Sequence, residues 1–268
     1  MSDLLNSPTI TNDVISTPKE DVNPLENSNS KKPRKSTAIT NVDPKWKQDA
    51  INRLRTTIKR YSKSLIELID QQANEAQTRL LVTEFLCEGL GFDRFSDLDV
   101  EFQVRGKFVD YGLRVDRQLV AFVEVKSAAT KLLPKHLQQV KNYVLDDPDV
   151  EWAILTNGSI WQIYHIEAAK PIDVALILEI DLIGDTAKGH RASKLVYITH
   201  EAFKHDAISE LWRKYKATTP ETLASALLSL KVIRSLRAEV HTLTGHLVDP
   251  DELGKQLRES VIRPEIIC

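Results

Sequence analysis

The sequence predicts an α/β domain in which a mixed central sheet is flanked by helices. Two hairpin patterns carry this prediction. Residues 107–126 contain two runs rich in β-branched and apolar residues on either side of Asp116-Arg117. Residues 150–166 contain two apolar runs joined by Asn157-Gly158, a strong two-residue turn signal. Segments with the helical spacing of apolar residues precede and follow these strands, which completes the α/β pattern.

The composition is that of an ordinary globular protein. The chain has 268 residues, of which 42% are hydrophobic and 28% charged, and its formal net charge is −2. Any affinity for nucleic acid must therefore come from a local basic patch. The two cysteines, Cys87 and Cys268, lie far from any His/Cys cluster, which argues against a zinc site. With no signal peptide and no long apolar run, we expect a cytoplasmic protein without a membrane span.

Three regions follow from composition. Residues 1–43 are rich in Ser, Asn, Thr, Pro and Lys, which predicts a disordered tail. Residues 44–170 form the predicted core, and residues 171–268 an α/β to helical C-terminal extension, in which the runs 174–182 and 194–199 are predicted as extended. The tail carries a basic cluster, which is either a phosphate-seeking arm or a solvated segment. Its members are Lys31, Lys32, Arg34 and Lys35.

Two helices are predicted before the central hairpin. Between residues 44 and 70, apolar residues recur at helical spacing, and the opposite face is strongly basic. That basic face is either a surface for the DNA backbone or an ordinary solvated face. A second apolar helix begins near Asn74 and runs to about Leu90.

The central hairpin gathers charged side chains at the end of an apolar strand. With the turn at Asp116 or Arg117, Asp110 lies opposite Val123 or Glu124, and cross-strand Cβ atoms are about 4.5–5.5 Å apart. Strand alternation places Lys126 on the face of Glu124. A buried strand accommodates such charge when it is compensated, and a divalent metal is a natural compensation. A strand that merely ends at the surface is the alternative.

Asp110 together with the Glu124-Val125-Lys126 element resembles the signature of the PD-(D/E)xK nuclease superfamily. Four further segments, taken in chain order, resemble the N-terminal nuclease domain of type I restriction enzyme R subunits and its stand-alone relatives. These are NEAQTR at 74–79, LGFD at 90–93, QVKNY at 139–143 and AILTNGSIWQIY at 153–164. The similarity covers about a third of the chain.

The resemblance implies a restriction-endonuclease-like fold and a Mg²⁺ cofactor, for which Mn²⁺ would substitute. Asp110 and Glu124 would bind the metal, and Lys126 would orient the attacking water. Glu75 matches the helical glutamate that reaches the metal site in this family, with Glu84 as the competing position. Glu75 could equally be an acid favoured by the helix dipole.

Gln139 and Tyr143 match the Q-x-x-x-Y element that contacts DNA or supports the active site in one branch of the superfamily. Being four residues apart, they share one helix face. Outside that context, such a pair is usually a surface amide and a half-buried aromatic ring.

The function predicted from the resemblance is a Mg²⁺-dependent DNA endonuclease in restriction or phage defence, acting as a homodimer or with a partner subunit. The chain has no phosphate-binding loop motif, so it carries no motor of that type. One alternative is a non-catalytic DNA-binding or protein-interaction module that retains the nuclease fold. The other is a structural α/β protein with coincidental motifs. DNA against RNA, and endonuclease against exonuclease, stay open at this point.

Overall fold

A computed structural model describes residues 43–104, 106–138, 141, 149–167, 172–184 and 188–266. Residues 1–42, and with them the basic cluster of the tail, lie outside this description. From Asp43 onward the chain forms one unit. Within these ranges, no helix combines the length and the apolar content needed to cross a membrane.

The described strands form a six-stranded mixed sheet whose spatial order follows the chain. Only the central pair, β3 and β4, is parallel, and the other neighbours are antiparallel. The predicted mixed sheet is therefore confirmed. The strands are β1 (Leu98–Val104), β2 (Lys107–Val115), β3 (Gln118–Val125), β4 (Trp152–Thr156), β5 (Ile160–Glu167) and β6 (Asp173–Asp181).

The β2–β3 hairpin closes at the predicted turn. Val115 pairs with Gln118, and the two residues between them, Asp116 and Arg117, have φ of 50° and 70°. Positive φ at both central positions is typical of the two-residue turn that matches strand twist. A bulge beside Leu113 then shifts the register by one residue.

Two helices cover one face of the sheet: α1 (Lys45–Asp70) and α2 (Glu75–Glu88). The predicted apolar stripe of α1 is buried, with Leu54 inaccessible and Leu65 1% exposed. Two arginines of its basic face form ion pairs with other parts of the protein. Arg53 forms a two-pronged ion pair with Glu201 at 2.7 and 2.8 Å, and Arg60 pairs with Glu88. These arginines tie α1 to its neighbours, so the basic face is only partly available to DNA.

The opposite face of the sheet has a second, smaller core built around Val109, Phe122 and Leu155. The segment after β3 contributes Leu132 and Leu137 to it. Helix α3, described over residues 134–138, starts at Pro134 as predicted, because proline is favoured in a first helical turn.

The C-terminal region starts with a strand and then becomes helical. The predicted extended run 174–182 corresponds to β6, which joins the sheet beyond residue 170. The extended prediction for 194–199 is wrong, because this segment is the end of α4 (Arg191–Leu195) and a 3-10 turn, Val196–Ile198. Leu195, Val196 and Ile198 are buried in the main core, so packing outweighs their preference for strands.

Five further α-helices follow, and after them come a π-helical turn, Leu257–Val261, and a 3-10 turn, Pro264–Ile266. The last three α-helices and the π-helical turn pack around a small core of their own that includes Ala224, Ile233, Leu257 and Ile262. The helices are α5 (His200–Lys204), α6 (Ala207–Ala217), α7 (Pro220–Leu227), α8 (Leu230–Thr244) and α9 (Pro250–Gln256).

Candidate active site at the end of the central hairpin

The end of β3 holds Glu124 and Lys126 in a buried setting. Glu124 is 4% exposed, and the last five residues of the strand are buried. The Lys126 backbone N–H donates to the Thr156 carbonyl at 2.8 Å, which continues the pairing of β3 with β4 past the strand end. The Lys126 ammonium donates to Glu124 Oε1 at 2.6 Å. The buried carboxylate therefore has a cationic partner fixed by the same strand.

Asp110 lies on the neighbouring strand beside this pair. Tyr111 pairs with Val123, and continuing the register by one residue places Asp110 beside Glu124. Asp110 Oδ2 accepts a hydrogen bond from the Val125 backbone N–H at 2.7 Å. The two predicted acids are thus brought together.

Glu75 reaches the cluster from the first turn of α2. Its Oε2 is 3.8 Å from the Lys126 Nζ, so this lysine contacts two carboxylates. Asn74 and Gln77 form a reciprocal capping box that fixes the start of the helix. Glu84, the competing position, pairs instead with Arg94.

Arg79 belongs to the cluster, although the sequence reasoning assigned it no role. Its Nη1 donates to Asp110 Oδ1 at 3.0 Å and lies 3.5 Å from Glu101 Oε1. Arg79 follows Glu75 by four residues, so both project from one face of α2. That spacing was the available signal. The helix face that brings Glu75 to Lys126 also brings Arg79 to Asp110 on the facing strand.

The environment makes ionisation of Glu124 unfavourable. Burial raises the pKa of Glu124 from 4.5 to about 7, and the charges of Asp110 and Glu75 act in the same direction. The hydrogen bond and the charge of Lys126 act in the opposite direction without cancelling the effect of burial. Any additional positive charge placed beside such a carboxyl stabilises its ionised form and lowers its pKa.

The donor set fits a small, hard divalent cation. The carboxylates that could bind a metal are those of Glu75, Asp110 and Glu124, and all their donor atoms are oxygen. When ionised, these three carboxylates outnumber the two cations that they contact, Lys126 and Arg79. Within the described ranges, no group of three or more His, Cys, Asp or Glu is gathered as a ready-made metal cage. Mg²⁺ does not need one, because it commonly binds through one or two carboxylates together with water and substrate phosphate. Asp110 and Glu124 are the pair that fits.

A concave surface adjoins the cluster. An open cavity of about 440 Å³ lies between the first turns of α2 and strands β1 and β2, and Arg79 and Glu101 contribute to its wall. Two exposed apolar side chains, Leu80 and Val100, are among its lining residues. Surface for a ligand larger than a single ion is therefore present beside the acids.

The other predicted substrate contacts lie outside the described residues. They are Gln139, Tyr143, Lys31, Lys32, Arg34 and Lys35.

Comparison with known proteins adds no identification. A scan against protein-family models, a search of curated proteins and a search of solved structures each find no match to the chain. The chemistry of the cluster is therefore the basis for assigning a function to this protein.

Proposed function

We propose that this protein is a Mg²⁺-dependent nuclease that hydrolyses phosphodiester bonds in DNA, with a fold of the restriction-endonuclease type. The observation that carries the proposal is the convergence of Glu75, Asp110, Glu124 and Lys126 from three separate elements. Assembling such a cluster is costly for folding, because each desolvated charge must be compensated. A buried carboxyl with a raised pKa beside a specific charge partner, as at Glu124, is more common at functional sites than elsewhere.

Each residue has a defined part in the proposed reaction. Asp110 and Glu124 would hold the cation, which when bound supplies a Lewis acid for the phosphoryl oxygen and lowers the pKa of water. The Lys126 ammonium has three N–H donors, so it can keep its bond to Glu124 and donate to the attacking water or to a phosphate oxygen. Glu75 positions Lys126, and Arg79 positions Asp110. Mn²⁺ should substitute for Mg²⁺.

The biological setting is a further part of the proposal. Cleavage of both strands favours two copies of the chain or a partner subunit, because each cluster addresses one phosphodiester at a time. A role in restriction or phage defence rests on the resemblance of the sequence motifs alone.

One observation favours the second candidate, a non-catalytic DNA-binding or interaction module that retains the nuclease fold. Asp110 is already paired with Arg79, and Glu124 with Lys126. An internally compensated network can serve stability without any cation. The two candidates differ in whether added metal produces cleavage.

A plasmid assay tests the proposal. Supercoiled DNA is incubated with the full chain in Mg²⁺, Mn²⁺ or EDTA, with a labelled RNA of matched length in parallel. We expect nicked and linear DNA with either metal, no reaction in EDTA, and loss of at least 100-fold in rate in Asp110→Asn. The control is Asp173→Asn, which alters an exposed acid at the start of β6. DNA binding without cleavage in any metal would favour the non-catalytic module.

The basic cluster of the tail is tested by salt dependence. Replacing its four cations with Gln should reduce the slope of log affinity against log salt by up to about 3–4, since each neutralised phosphate contributes about 0.9. The control replaces four exposed cations of the C-terminal helices with Gln: Lys231, Arg234, Lys255 and Arg258. An equal slope for the tail variant and the wild type would show that the basic cluster is a solvated segment and not a phosphate-binding arm.

A further inference from the structure

A second cavity lies away from the acid cluster, on the flank of α1, and basic side chains are among its lining residues. Its volume is about 430 Å³, and it opens between α1 and the start of α4. Arg60, the residue after Lys59 on α1, pairs with Glu88 at the last residue of α2. Glu75 is at the first, and α2 rises about 1.5 Å per residue, so its two ends are about 20 Å apart. Residues lining the cavity include Arg55, Ile58, Lys59, Ser62, Gly189 and Arg191.

Arg191 is the unusual member of this lining. Its Nε and Nη2 atoms are buried, and neither has a hydrogen-bond partner in the described part of the chain. A guanidinium is always charged in proteins, and buried donors left without an acceptor are rare and costly. The neighbouring residues Ala192 and Leu195 are buried in the core, so α4 holds the arginine in place. The guanidinium therefore keeps its positive charge beside the cavity, with no acceptor for these two N–H groups in the described residues.

The other charged side chains in the described lining of the cavity are also positive. Arg55 and Lys59 are one helical turn apart, an arrangement of like charges that costs helix stability. Among the described residues that line the cavity, none is acidic. Four other basic side chains of α1 have carboxylate partners: Lys47 with Asp43, Arg53 with Glu201, Arg60 with Glu88 and Lys63 with Glu67. Arg55 contacts only the Asn52 amide in the described residues.

We propose that this cavity binds a phosphate group. The planar fork of a guanidinium matches two phosphate oxygens, and a nearby lysine and a serine hydroxyl complete a common phosphate-binding set. Water occupies about 30 Å³ per molecule in the liquid, so the cavity has room for the larger group that carries the phosphate. Two sources share this chemistry: a phosphate of the nucleic-acid backbone, and a small phosphorylated compound. The site does not depend on the nuclease proposal.

The test uses inorganic phosphate as the probe, by calorimetric titration of the full chain in EDTA at constant ionic strength with chloride as the reference. We expect saturable binding that weakens at least 10-fold in Arg191→Gln and 3-fold or more in Lys59→Gln. The control, Arg234→Gln, removes an exposed charge on α8 and should bind as the wild type does. Without phosphate, Arg191→Gln should melt no lower than wild type, because it removes an unpaired buried charge.

A second arm measures affinity for a short DNA duplex in the same EDTA buffer, which keeps it separate from cleavage. Weaker duplex binding by Arg191→Gln than by Arg234→Gln assigns the site to a backbone phosphate, even if inorganic phosphate alone binds poorly. Equal duplex binding, together with a loss of phosphate binding in Arg191→Gln, assigns it to a small phosphorylated compound. The proposal is overturned if neither phosphate nor duplex binding distinguishes Arg191→Gln and Lys59→Gln from the control.

Discussion

Replacing Glu124 by Gln should remove a loss of stability that the wild type undergoes as the pH rises to neutrality and above. Glu124 is 4% exposed, and burial with neighbouring negative charge raises its pKa from 4.5 to about 7. Between these two values the folded state keeps a proton on Glu124 that the unfolded chain has released. Folding stability therefore falls as the pH rises from 4.5 through 7. Gln cannot ionise, so the variant should escape this loss.

The size of the effect follows from the shift in pKa. One pKa unit corresponds to about 1.4 kcal/mol, so the variant should gain about 2–3 kcal/mol over wild type between pH 5 and pH 8. The measurement is urea unfolding of both proteins in EDTA at half-unit pH steps. Glu239→Gln, at an exposed position on α8, is the control and should follow wild type. A stability difference between Glu124→Gln and wild type that does not change with pH would refute the reasoning.

Magnesium should interact with the same titration. Because a bound cation favours the ionised carboxylate, saturating Mg²⁺ should flatten the pH dependence of wild-type stability and leave that of Glu124→Gln nearly unchanged. If Mg²⁺ stabilised the two proteins equally at every pH, Glu124 would not be a metal ligand.

Four other substitutions test the surrounding structure by urea unfolding, and one of them is also followed by NMR. Arg79→Gln should cost about 1–2 kcal/mol by leaving Asp110 poorly compensated, and Mg²⁺ should restore part of the loss; an equal loss with and without Mg²⁺ would contradict this. A double-mutant cycle with Arg53→Ala and Glu201→Gln should give about 1 kcal/mol of coupling between α1 and α5, and strict additivity would refute the pair. Trp212→Ala should cost about 2–3 kcal/mol, because the indole ring stacks on a buried histidine with ring centroids 4.0 Å apart. Burial lowers the pKa of this histidine, His165, and the Trp212→Ala substitution should move that pKa back toward its ordinary value, as followed by NMR titration. An unchanged pKa of His165 in the variant would show that the indole does not bury the histidine.

The central hairpin was predictable because its turn is local. The Asp116-Arg117 turn left two registers for Asp110, one opposite Val123 and one beside Glu124. The bulge near Leu113 selects the second. A one-residue slip sends every side chain to the other face of a sheet, so this bulge decides whether the two acids meet.

Features that depend on tertiary packing were harder to read. Predicting that Arg79 pairs with Asp110 requires knowing how closely α2 packs against β2, and no local sequence pattern gives that distance. The run 194–199 has the composition of a strand and is helical because α1 and the sheet bury its apolar side chains. Arg191 gave no signal in the sequence, since buried guanidinium N–H groups without an acceptor in the described residues are recognised only from their surroundings.

The most direct measurement of the central claim is the single-turnover rate of DNA cleavage in Mg²⁺ by Lys126→Gln. Gln keeps an N–H donor for Glu124 but removes the ammonium. Lys107→Gln, at the exposed start of β2, is the control. We predict a loss of at least 100-fold in rate for Lys126→Gln, with DNA affinity within threefold of wild type and both effects absent from the control. Cleavage at the wild-type rate by Lys126→Gln would contradict the assignment of this cluster as the catalytic centre.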